Sequence, residues 1–254
     1  MILGSVPIFL GALISFSPFT VSGEDADQIG KKIYKNECGS RPEKLTWWNQ
    51  GEGFASLGIG HFIWYPKGEK GPFEETFPEL LGFLSSNNIP LPGWLKDANS
   101  SPWNSREEFY ETLQQEKKEL GRLLSQTVAL QAAFILQRFE SKICRLFDHL
   151  PNEKQEKLSK RVEAIARTVK GKYALIDYLH FKGDGVSTKE RYGGYGWGLR
   201  QVIEEMPDDP KEPLAAFSES AKAALRRRVE NAPPERREER WLPGWLARIE
   251  SYNH

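Results

Sequence analysis

The apolar and polar positions divide the chain into stretches of different period. Residues 1–23, "MILGSVPIFLGALISFSPFTVSG", carry no charged side chain, and "EDAD" follows at once. An apolar run that ends in small residues before an acidic start reads as a secretory signal peptide, with cleavage near Ser22 or Gly23. An uncleaved anchor is the alternative, and Pro7 and Pro18 count against it as a stable spanning helix. Residues 24–37 show a helical period, with Asp25 or Asp27 near the start. Ala26, Ile29, Gly30 and Ile33 form one apolar stripe, and Gln28, Lys31, Lys32 and Lys35 point away from it. Glu37 stands four residues beyond Ile33, so it falls on the apolar stripe and not with the lysines.

Residues 38–53 read as loop. Residues 54–65, "FASLGIGHFIWY", read as extended and predict a hairpin. Residues 66–104 hold most of the Pro, Gly, Asn and Ser and predict an irregular segment with one short helix near 78–85. At Ser105 the period becomes helical. Ser105 and Glu108 have capping-box spacing, and Leu113, Leu120, Leu124, Val128, Ala132, Ile135, Phe139, Ile143 and Phe147 continue an apolar stripe toward residue 169. Pro151 is placed to start a further helix. Residues 180–198 form a glycine-rich break, "LRQVIEEM" begins another helix, and residues 211–250 are helical and charged, interrupted at "APP" and "LPG". This order predicts an α+β fold in one domain, 24–254, mostly helical with a small N-terminal β-hairpin lobe.

Composition narrows the function classes. Lys and Arg total 35, as do Asp and Glu, so the formal net charge is zero. Net charge therefore gives no case for nucleic acid or for a polymer held by charge alone. The run "RRRVENAPPERREER", residues 226–240, mixes both signs and reads as a solvated helix face. Two cysteines, Cys38 and Cys144, read equally as a disulfide of an exported protein or as two buried thiols. Four His and no Cys/His ligand spacing predict no metal site, and no organic cofactor is implied.

Two features suggest chemistry. If 54–62 were one strand, Phe54, Ser56, Gly58, Gly60 and Phe62 would share a face, setting a hydroxyl beside two positions of bare backbone. A tight turn or bulge is the structural alternative. Around this segment stand Glu37 and Glu52. Glycosidic hydrolysis requires a protonated carboxyl to donate to the leaving oxygen and a group that positions water or stabilises the oxocarbenium ion. An apolar setting disfavours the charged form of a glutamate, which suits the acid; on the residues alone, a glutamate at a helix end reads first as a solvated terminus.

"GEGFASLGIGH", residues 51–61, resembles the "EGYYTIGIGH" stretch of phage-type lysozymes, members of the lysozyme-like superfamily. The later "FKGDGVSTKERYGGYGWGLRQVI" is similar to the "FxxG" turn, glycine-rich loop and helix of the same enzymes, and "GWGLRQV" is similar to the "GLMQ" of lytic transglycosylases. The resemblance implies a lysozyme-like fold, a catalytic acid at Glu37 and a water-holding hydroxyl at Ser56, where the family has Thr. The family's Asp falls at Gln50, so Glu52 either substitutes as the second carboxylate or none is present. The spacing from Glu37 to Ser56 is also longer than in the phage enzymes, with extra residues around "TWWNQ".

The loop between acid and hairpin supplies candidate substrate-binding groups. Trp47 and Trp48 have faces to stack on sugar or to fill core, Asn49 can bond a hydroxyl or N-acetyl group, and His61 can contact substrate or pin the turn. Glu190, Arg191 and Tyr192 read as a far cleft wall or as solvated loop. The expectation is an exported enzyme, periplasmic or extracellular, that cleaves β-1,4 bonds of peptidoglycan in a cleft between lobe and helical body. No nucleic-acid partner and no stable membrane span after signal cleavage are expected. The alternatives are a lytic transglycosylase and a non-catalytic glycan-binding domain.

Overall fold

The computed structural model describes residues 23–254 except Ser40, Pro72, Asp97, Asn99, Cys144, Lys189 and Glu190. In the first helix it also leaves aside the side chains of Ala26, Asp27, Asn36, Glu37 and Cys38. The expected leader, the state of the two cysteines and the role of Glu190 lie outside the described residues. No helix among the described residues is long and apolar enough to cross a membrane.

Helix α1 (Gly23–Cys38) begins with Glu24 and Asp25, where carboxylates complement the positive helix end. Its apolar stripe packs on α5 (Val128–Ile143). Ile29 and Ile33 are buried, and a Cβ built on Gly30 would stand 2.6 Å from the Ala132 Cβ. Glycine therefore lets the two helices approach closely. Lys32, on the side away from the stripe, is not simply solvated: it lies 4.5 Å from the Tyr173 ring centroid and donates to the Ser251 carbonyl at 3.3 Å. The C-terminal helices pack against that side of α1, which its own period could not reveal.

A 3-10 turn, Pro42–Leu45, leads into a three-stranded antiparallel sheet in the order β1 (Thr46–Trp47), β2 (Ala55–Leu57), β3 (Phe62–Trp64). The expected hairpin is β2–β3, and β1 adds a strand within the stretch read as loop. Thr46 pairs with Leu57, which pairs in turn with Phe62; Trp47 pairs with Ser56, which pairs in turn with Ile63. Directly opposite residues share a face. Thr46, Ala55, Leu57, Phe62 and Trp64 thus form the core face, all of them buried. Trp47, Ser56 and Ile63 form the other face.

The single strand face expected over 54–62 is also corrected. Gly58 to His61 form the hairpin turn, with φ of 68° at Gly58 and 47° at His61. Gln131 of α5, fully buried, accepts the Ile59 N–H at 2.9 Å and donates to the Leu124 carbonyl at 2.7 Å and the Thr127 hydroxyl at 3.0 Å. A Cβ on Gly58 would collide with the Gln131 amide oxygen, and one on Gly60 would stand 2.6 Å from the Phe62 ring. The bare backbone of this motif accommodates its own chain rather than a ligand.

Helix α2 (Phe77–Ser86) matches the short helix expected there. The helical stretch expected from Ser105 toward 169, a long helix followed by a further one from Pro151, is four helices: α3 (Arg106–Glu111), α4 (Gln114–Gln126), α5, and α6 (Asn152–Ala166). Ser105 does cap α3, accepting the Glu108 N–H at 3.2 Å, but the Glu108 carboxylate bonds the N–H of Asn104 and not that of Ser105. Leu113, placed on the core stripe by its spacing, adopts a left-handed φ of 45° and is exposed. Its backbone breaks the helix, and apolar spacing alone does not register such a break. Pro151 precedes α6 as expected.

Helix α7 (Val169–Lys182) runs into the segment read as a glycine-rich break. A second small hairpin, β4 (Arg191–Tyr192) and β5 (Tyr195–Gly196), follows. Helices α8 (Leu199–Glu205), α9 (Pro213–Glu230) and α10 (Leu242–Glu250) complete the chain, and "LPG" opens α10 instead of interrupting a helix. The architecture is α+β, mainly helical, with buried residues from Ile29 to Tyr252 in one hydrophobic cluster.

Candidate functional site

The connection from α1 to β1 sets the candidate acid close to the sheet in sequence. Helix α1 ends at Cys38 with Glu37 in its last turn, and the short 3-10 turn leads directly to β1. Glu37 stands one turn beyond buried Ile33, and its side chain lies outside the described residues.

The β1–β2 connection brings four of the expected residues together. Trp47, 38% exposed, donates its indole N–H to the Asn49 side-chain oxygen at 2.7 Å. The Asn49 amide donates to the Glu52 carboxylate at 2.9 Å. Across the ladder from Trp47 stands Ser56. Glu52, Asn49, Trp47 and Ser56 therefore form a connected row at the outer face of the sheet. Ser56 is only 5% exposed, and its hydroxyl has no hydrogen-bond partner among the described residues. The hydroxyl is not among the fully buried polar atoms that lack a partner, so the small exposed part of Ser56 lets water reach it.

One expectation for this region changes. Trp48 is not a substrate platform: it is 1% exposed, packs on Phe109, and donates its indole N–H to the Glu52 carbonyl at 2.6 Å. Adjacent strand residues point to opposite sides, so only one of the two tryptophans can reach the outer face. His61 sits at the end of the hairpin turn in left-handed conformation, where its N–H approaches the Gly58 carbonyl at 3.4 Å. Gln50, where the resemblance led to a carboxylate, is an exposed residue of the loop.

The α3–α4 segment also belongs to this surface, although the sequence pattern did not place it there. The Tyr110 ring meets Trp47 edge-on, with centroids 6.3 Å apart. Arg106 stacks on Tyr110 at 4.7 Å and donates to the Trp48 carbonyl at 3.1 Å. Lys117 lies 4.1 Å from the Tyr110 centroid and 4.4 Å from that of Phe109, and burial lowers its pKa. Arg106 and Tyr110 have helical i,i+4 spacing, a signal that predicts a shared face but not which strand it meets.

Two open grooves flank these elements. One, of about 580 Å³, runs along α5 between Glu74 and Glu79 on one side and Asp184 and Val186 on the other. Arg138 pairs there with both glutamates, and Lys142 with Glu74 at 2.9 Å. The second, of about 520 Å³, separates the Pro42–Thr46 segment from α4. Neither is lined by Ser56, Asn49 or Glu52. Among the described residues no cluster of three or more His, Cys, Asp or Glu could hold a metal ion.

Glu190 lies outside the described residues, and Arg191 and Tyr192 belong to β4. Tyr192 donates to buried Glu238 at 3.0 Å, so it is tied into the helical body. Comparison of the chain with protein-family models, curated proteins and solved structures gave no match.

Proposed function

We propose that the protein is a lysozyme-like glycoside hydrolase that cleaves β-1,4 bonds of peptidoglycan outside the cytoplasm. The observation that carries this reading is Ser56, whose hydroxyl has no protein partner among the described residues and lies on the sheet face that it shares with exposed Trp47. The motif resemblance at residues 51–61 and the position of Glu37 in the last turn of α1 support it. In this mechanism the Glu37 carboxyl donates its proton to the glycosidic oxygen as the bond breaks. Ser56 holds the water that attacks the oxocarbenium-like carbon, and Trp47 offers its face to a sugar ring. Glu52, held by Asn49, supplies negative charge to the same row.

A second reading, a lytic transglycosylase, is favoured by one observation: Gln50 stands where a carboxylate was expected, and the Glu52 carboxylate is engaged by Asn49. There Glu37 would act first as acid and then as base, with a substrate hydroxyl in place of water. Mass spectrometry of the products of purified peptidoglycan separates the two. Reducing ends support hydrolysis, and anhydro ends exclude it. Intact peptidoglycan, bound but uncut, would overturn both in favour of a glycan-binding domain.

A further inference from the structure

The groove between Pro42–Thr46 and α4 differs from its surroundings in charge. It is lined by Lys117, Lys118 and Arg122, with Gln114, Ser125 and Gln126 as further hydrogen-bonding groups. The acid in this lining is Glu43, which lies 3.9 Å from Arg41. Among the described residues none of the three cations pairs with a carboxylate. Elsewhere cations do pair: Arg138 with Glu74, Arg228 with Glu238 and Arg248 with Asp177. A zero net charge thus conceals a local excess of positive charge. Gly121 lies between Lys118 and Arg122 in the lining, facing Thr46.

The groove is coupled to the candidate site through shared elements. Thr46 lines it, and the next residue, Trp47, lies on the outer sheet face beside Ser56. Tyr110 joins them from the other side, meeting Trp47 with its ring and carrying Lys117 at 4.1 Å. That packing holds Lys117 in place before any ligand arrives, while Lys118 and Arg122 are exposed. One held cation and two exposed ones beside an aromatic platform fit a glycan that carries carboxylates on side branches.

We infer that this groove binds the carboxylates of an acidic peptide, namely the stem peptides of peptidoglycan, while the sugar backbone lies over Trp47. The identity of this ligand rests on the peptidoglycan reading above; the groove's preference for carboxylate peptides does not.

The test is binding of a synthetic stem peptide, L-alanyl-γ-D-glutamyl-diaminopimelate, to the full chain at low and high salt. The variant Lys118→Ala/Arg122→Ala should bind it roughly tenfold more weakly, and the wild-type affinity should fall as salt rises. Lys118→Glu/Arg122→Glu should weaken it further. Lys211→Ala/Arg226→Ala, the same charge change at exposed positions on α9 and the loop before it, should keep wild-type affinity. Equal affinity of the groove variants and wild type, no binding by the wild type, or binding of a polyol phosphate polymer in place of the peptide would each overturn the inference. If the wild type binds the peptide through these residues yet cuts no peptidoglycan, the proposed activity fails and the groove stands. If it cuts peptidoglycan and the groove variants bind the peptide as wild type does, the groove fails and the activity stands.

Discussion

In the C-terminal helices Asp177 is 3% exposed and receives hydrogen bonds from Tyr173 at 2.8 Å, from Tyr252 at 2.6 Å and from two nitrogens of Arg248 at 2.8 Å. In the sheet, Ser56 is equally buried, and among the described residues nothing bonds its hydroxyl. Glu238 repeats the first pattern: it is 1% exposed, gripped by two nitrogens of Arg228 at 2.7 and 2.8 Å, and bonded by Tyr192. Burial works to raise the Glu238 pKa, but the Arg228 contacts outweigh it and hold the carboxyl below its ordinary value. A buried charge whose hydrogen-bonding capacity is filled serves the fold and has little left for a substrate. An open hydroxyl beside an exposed aromatic, next to unpaired cations, has capacity to spare. Buried polar groups are filled by protein partners in one region, and in the other the Ser56 hydroxyl has none among the described residues.

The largest effect expected is on activity. Glu37→Gln should lower peptidoglycan cleavage by about 10²–10⁴-fold, the range of general acid catalysis, with the melting temperature unchanged. Equal clearance of cell-wall suspensions by this variant and the wild type would remove Glu37 from the mechanism. Asp177→Ala should do the reverse. Chemical denaturation should show a loss of about 3–5 kcal/mol, because Arg248, Tyr173 and Tyr252 would all lose the buried carboxylate that they share. Activity per folded molecule should be retained.

Lys182 sharpens the comparison, because it is the buried cation that departs from the paired pattern. It rests 3.3 Å from the Trp245 centroid and 4.0 Å from that of Phe181. Burial, reinforced by Arg228 and Arg248, pushes its pKa down to about 6, against the pull of Glu238. In the folded chain the amine therefore holds fewer protons than in the unfolded chain between pH 6 and 10.5. Stability should rise with pH through that window, with the burial penalty full below about pH 6 and gone above the unfolded value. Lys182→Met should be more stable than wild type by about 1–3 kcal/mol at pH 7. Melting curves across pH should show that advantage shrinking toward pH 10.5; an advantage independent of pH would mean that Lys182 stays charged. The smallest effect belongs to Ser56→Ala, with cleavage falling roughly tenfold and stability changing by less than about 0.5 kcal/mol. A large loss of stability would show that the hydroxyl is structural, and the contrast with Asp177 would fail.

Residues 23–66 show what the chain pattern could reveal. Helix α1 and the turn-centred hairpin follow from local causes: the i,i+4 spacing of Ile29 and Ile33, and glycines where the turn requires positive φ or no side chain. The short β1 escaped notice because two residues carry no period. The exposure of Trp47 and the burial of Trp48 depend on which face of that strand meets Phe109, a partner from α3. The break at Leu113 was hidden because its side chain keeps the right spacing while its backbone leaves the helix.

By itself the sequence determined the helices with strong apolar stripes, the hairpin motif, the position of Glu37 in the last turn of α1, and the α+β class. These depend on near neighbours, whose spacing is fixed by backbone geometry. Only the tertiary structure decided that Gly58 and Gly60 make room for Gln131 and Phe62, that Lys32 and Lys182 lie on aromatic rings, and that three unpaired cations of α4 line a groove beside β1. Those outcomes depend on contacts between residues far apart in the chain, and no local spacing encodes which faces will meet.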